Sequence, residues 1–155
     1  MTSRDLLARH PFPAPWAAEK RIERLWVFDL AGTPEALWPH IADTSRMNRA
    51  LGTAEMRFEE RDGVRWGTAR NGGVRHEWIE LPWNWVANQW LTCLRVYERG
   101  FMRAMYSIQA LEPTATGTNM DFLHEQFHDE AARDDHEGGW TPTFEKLGRF
   151  LRNPR

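Results

Sequence analysis

Between Thr118 and Leu151 the spacing of the apolar residues changes once, and that change limits the folds open to this chain. Thr118, Met120, Phe122 and His124 alternate with Asn119, Asp121, Leu123 and Glu125, the period-two pattern of a strand with one face toward a core. Past Phe127 the alternation stops. The composition turns helical from Glu130, and Trp140, Phe144, Leu147 and Leu151 recur at steps of four, three and four, which puts them on one face of a helix. Glu145, Lys146 and Arg149 fall on its wet side. The dry side needs a partner, and the strands upstream are the only large candidate.

His124, Glu125 and His128 in HEQFH spell the HExxH pattern of zinc hydrolases. That chemistry requires a helix, where imidazoles four residues apart sit one turn above each other and share a tetrahedral ion. On a strand, residues four apart are separated by roughly 13 Å. The first half of the motif belongs to the strand pattern, and Ala131 and Asp134 stand where an extended motif would carry a glycine and a third histidine. No metal and no cofactor are expected.

The rest of the chain reads mostly as strands. Met1 to Lys20 holds Pro11, Pro13 and Pro15, so residues 1–20 are expected to be a surface arm after a short first helix. Residues 21–155 are expected to form one domain. Ile22 to Leu30 is rich in β-branched and aromatic residues and predicts the first strand. Thr33-Pro34 is a helix-start signal, Pro39 shortens that helix, and Asp43 can cap a second one ending at Gly52. Alternating segments then follow, punctuated at Asp62-Gly63, Asn71-Gly72-Gly73, Pro82, Gly100 and Pro113–Gly117. Trp83 to Asn88 reads as an aromatic-rich turn. In the segment from Met102 to Ala110 the even-numbered residues are the apolar set. The predicted order is one strand, two short helices, six strands and a helix, an antiparallel α+β arrangement.

That order resembles the START-like, or SRPBCC, superfamily, and two stretches carry the likeness. AGTPEALWPHIADTSRMNRALG is similar to the superfamily's first-strand exit and paired short helices. LHEQFHDEAARDDHEGGWTPTFEKLGRFL is similar to the last strand and helix of the branch related to activators of the heat-shock-protein ATPase, where a Gly-Trp pair like Gly139-Trp140 opens the packed half of the helix. The middle, from His76 to Pro113, is also similar to START-like domains found ahead of nucleotide-cyclase catalytic domains. The resemblance covers roughly residues 22–151 and implies a helix-grip fold: a curved seven-stranded antiparallel sheet around the C-terminal helix. Pro142 departs from it and is expected to split that helix.

Function then turns on whether the space between sheet and helix is open. On the alternation above, Trp66, His76, Trp78, Tyr106, Met120, Phe122 and His124 are expected to point inward toward Trp140 and Phe144. This mostly apolar set with a few polar tips suits a lipid or aromatic ligand, and the nine tryptophans suit either cavity walls or a bulky filled core. Members of the superfamily include cyclases and dehydratases, and His76, His124 and Tyr106 are the proton-transfer candidates for such an activity. A third reading makes the chain a partner-binding module, which an exposed aromatic patch from Trp83 to Trp90 would favour. Net charge is −2 with a pI near 6.3, so no basic field points to nucleic acid. The single Cys93 excludes an internal disulfide. No apolar run reaches the ~20 residues of a membrane span, and the start lacks a signal-peptide core, so a cytoplasmic protein is expected.

Overall fold

The computed structural model describes residues 1–11, 22–52, 55–71, 73–81, 84–100, 102–127 and 142–152. In chain order the elements are α1 (Ser3–Arg9), β1 (Ile22–Leu30), α2 (Pro34–Ile41), α3 (Thr44–Leu51), β2 (Met56–Arg61), β3 (Val64–Asn71), β4 (Val74–Glu80), β5 (Asn84–Val86), β6 (Trp90–Arg99), β7 (Ala104–Pro113) and β8 (Thr118–Phe127). A final helix, α4, spans residues 142–152. The fold is α+β, with one antiparallel sheet in the order β1-β8-β7-β6-β4-β3-β2 and β5 joined to β6 off this path. The main path has the seven strands expected. The eighth, β5, lies inside the segment read as a turn, where it pairs Trp85 with Leu91. Three residues are too short to show a period.

Local signals start and stop the helices. Thr33 caps α2 ahead of Pro34, and the Asp43 carboxylate accepts the Arg46 N–H at 3.1 Å to cap α3. Gly52 ends α3 with φ +62°, in the left-handed region that glycine enters without strain. Pro142 is the first described residue of α4, a position where its missing N–H costs nothing. The preceding segment, with Trp140 and the split expected after Gly138-Gly139, lies outside the described residues.

One face of the sheet takes α2, α3 and α4. Leu37, Ile41, Met47 and Leu51 meet Leu91, Cys93, Met120 and Phe122 there, together with Phe144 and Leu147. Phe144 stands edge-on to Phe122 with ring centroids 5.5 Å apart. The outer face carries a second apolar cluster, in which Leu6 of α1 packs with Leu94, Tyr106, Ile108 and Leu123. Helix α1 is therefore docked on the sheet. Its capping box, Thr2 with Asp5, is complete, the Asp121 carboxylate accepts the Ser3 N–H at 2.8 Å, and Leu6 is fully buried. Among the described residues no helix is long and apolar enough to cross a membrane.

Candidate functional site

A cavity of about 730 Å³ opens on the helix-bearing face. Trp38 of α2 and the link Ala42-Asp43-Thr44 form one wall, and Phe58 and Glu60 of β2 with Gly63, Val64 and Arg65 form another. Glu80, Leu81, Leu91 and Arg95 lie along β4 and β6, and Trp85 joins from β5. The volume falls within the range of small-molecule sites, and so does a lining of rings and aliphatic chains with a few convergent polar groups. The hairpin wall turns tightly through Asp62 and Gly63, at φ 51° and 75°, which brings Val64 and Arg65 back beside Phe58 and Glu60.

Glu80 and Arg95 face each other across β4 and β6. Arg95 Nε donates to Glu80 Oε2 at 3.0 Å and Nη2 donates to Oε1 at 3.4 Å. The Trp78 indole N–H donates to the same Oε2 at 2.7 Å, and the guanidinium lies 5.0 Å from the Trp78 ring centroid. Both charged side chains are almost wholly buried. Burial is the largest single influence and works against the charge on Arg95, but Glu80, Cys93 and Tyr97 together more than offset it and hold the guanidinium above its usual pKa. Desolvation pushes the neighbouring Cys93 thiol and Tyr97 phenol each up to about 12. This part of the cavity is thus a salt-bridged pair beside a protonated thiol and phenol.

The predicted site residues do not converge on this cavity. Met120, Phe122 and Phe144 are on the expected face, yet they fill the core. Trp78 is on that face as well and reaches the cavity through its bond to Glu80. His76 shares its face and is buried, edge-on to Tyr97 at 6.3 Å; desolvation depresses its pKa. It does not line the cavity. His124 lies in β8 opposite Ser107 and Arg24, so the HEQFH stretch is extended through Phe127 rather than helical. Its side chain, like His128 and Trp140, is outside what is described.

Two expectations are overturned. Tyr106 is on the outer face: the register pairs Leu111 with Met120 and Gln109 with Phe122, which turns the odd-numbered residues of β7 inward and the even-numbered set toward α1. Its hydroxyl donates to the carbonyl oxygen of His10 at 2.8 Å. The apolar alternation was real, but its dry face is the one α1 covers. Trp66 also faces out. It pairs with Ile79 and lies beneath the Arg61 guanidinium, 4.8 Å from the ring centroid, while Gly67 takes the inward position under Trp78. His76 and Tyr106 are therefore on opposite faces of the sheet and cannot act on one substrate. Of the aromatic patch, Trp85 is 59% exposed, Trp90 is half-buried with its ring 5.1 Å from that of His10, and Trp83 lies outside the described residues.

Sequence reasoning missed Glu80 and Arg95. A signal was present, since Glu80 ends the run Trp78-Ile79-Glu80 and Arg95 interrupts LTCLRVY. A charge inside a strand with both faces dry requires a partner charge.

No family model matches the chain, and no curated protein matches it. Solved structures do. The protein CV1439 from Chromobacterium violaceum superposes with a TM-score of 0.67 at 14% identity, over 83% of this chain and 96% of its own. Ara h 8.0201 gives 0.63 at 11% identity, over 85% and 98%. The Zhui aromatase/cyclase from Streptomyces sp. R1128 gives 0.57 at 10% identity, over 85% and 90%. The chain shares the fold of these structures, an antiparallel sheet with a C-terminal helix consistent with the helix grip.

Proposed function

We propose that this helix-grip protein binds a neutral hydrophobic small molecule in the cavity between the sheet and α2–α3, with a hydroxyl group at the molecule's inner end. The observation that carries this is the buried Glu80–Arg95 pair set in a wall of Trp38, Phe58 and Leu91. A hydroxyl donates to a carboxylate and accepts from a guanidinium at once, so it joins the pair without breaking it. A carboxylate head would compete with Glu80 for Arg95 and also meet Asp43 and Glu60. An ammonium head would compete with Arg95 for Glu80. Either leaves a buried charge without a partner, which is the costly case.

The test is calorimetric titration of the full chain with naphthalene, β-naphthol and β-naphthoate, which share one scaffold and differ in the head. β-Naphthol should bind tightest. In a Glu80→Gln variant Arg95 loses its counter-charge, and the preference should move toward β-naphthoate. Absence of binding by all three probes would remove this function, and a wild-type preference for β-naphthoate would remove the proposed role of the pair.

A further inference from the structure

We infer that Trp85 closes the mouth of the cavity over its ligand and selects molecules whose outer end is aromatic. This rests on the ligand-binding reading above and adds a specificity residue to it. Trp85 lies directly opposite Leu91 in the β5–β6 pairing, and residues directly opposite in an antiparallel pair project from the same face. Leu91 is buried, lines the cavity and belongs to the core on the helix-bearing face. The indole of Trp85 therefore projects to the cavity side, and it lines the cavity while 59% exposed. A large ring in that position has its apolar surface in water and a hollow beside it.

The strand that carries it is suited to such a role. β5 is three residues long and pairs with β6 alone, off the main path of the sheet. Its base is held: Gln89 N–H donates to the Val86 carbonyl at 3.0 Å, Asn88 takes the left-handed conformation at φ 63°, and Trp90 next to the turn packs on His10. Its outer edge has no strand beside it among the described residues. Small displacements of β5 are therefore the cheapest way for the site to close. Trp38 and Phe58 give the inner cavity aromatic walls already. Trp85 extends them to the opening, and offset or edge-on ring contacts there favour a planar aromatic group over a saturated one of equal area.

The experiment compares β-naphthol with decahydro-β-naphthol, which keeps the hydroxyl and loses the aromaticity. Wild type should prefer β-naphthol. Trp85→Leu should weaken β-naphthol about tenfold and the saturated probe much less, so that the preference collapses, whereas Trp85→Phe should retain it. Val86→Ala, on the opposite face of β5, should change neither. In fluorotryptophan-labelled protein, the fluorine resonance that Trp85→Phe removes should shift on saturation with β-naphthol. Equal β-naphthol affinity in wild type and Trp85→Leu, or an unmoved Trp85 resonance, would overturn the inference and leave the ligand-binding function standing. Failure of wild type to bind either probe would overturn both.

Discussion

The indole of Trp78 occupies the space that a side chain at position 67 would need: a Cβ built on Gly67 stands 2.2 Å from Trp78 Cε2. The two residues are paired across β3 and β4, and the indole N–H is at the same time committed to Glu80. Gly67→Ala cannot be absorbed by a flexible chain end, because Trp78 is fully buried. It should destabilise the protein by about 1–3 kcal/mol, the cost of overpacking a core. Urea denaturation measures it, and an unchanged midpoint would show that the ring is not held there.

The Glu80–Arg95 pair should respond unequally to single and double replacement. Arg95→Met leaves the Glu80 carboxylate buried without its partner and should cost about 3–5 kcal/mol. Glu80→Leu combined with Arg95→Met should recover most of that loss and still bind β-naphthol poorly. A double-mutant cycle in urea, with calorimetry alongside, separates stability from recognition.

Tyr106 should behave as an anchor for α1. Tyr106→Phe removes the bond to the His10 carbonyl and should cost about 1 kcal/mol, while leaving β-naphthol affinity unchanged because the hydroxyl is on the outer face. Leu6→Ala should cost about 2–5 kcal/mol. Amide exchange in α1 should speed up in both variants.

Burial depresses the pKa of His40, with Arg46 adding to the effect, and it depresses that of His76. The folded state then binds fewer protons than the unfolded one just below the ordinary histidine value. Stability should be complete above that value, fall as pH drops through it toward the lowered folded values, and level off below them. The carboxylate of Glu77, lowered mainly by its bond to Arg61, acts only in the more acidic carboxylate range. Thermal denaturation between about pH 8 and about pH 5 should show the decline, and replacing both histidines with glutamine should flatten it.

Cys93 is buried and its thiol is pushed up to about 12, chiefly by desolvation. Thiolate is the reactive form, so a chromogenic disulfide reagent should react only as fast as the protein unfolds. Rapid labelling of the folded protein would contradict the burial.

Much of the architecture was legible before any coordinates. The seven main strands, the paired short helices with their Thr33 and Asp43 caps, and the amphipathic residues of α4 follow from periodicity and capping chemistry. β5 was not legible, and neither was the burial of α1, since Leu6 gives no sign of what it will cover. The site was legible only in outline. An apolar space with a few polar tips was expected, but Tyr106 and Trp66 were assigned to the wrong face and Glu80 and Arg95 were overlooked.

Alternation within a strand, set by the backbone's two-residue repeat, states that two faces exist and which residues share one. That much this chain's sequence determined by itself. Which face turns toward the helices depends on pairing register between strands far apart in the chain, as Leu111 with Met120 decides for β7. Only the tertiary structure could decide that, because a face is made dry by whatever packs on it, and both α1 and α4 were available to do so.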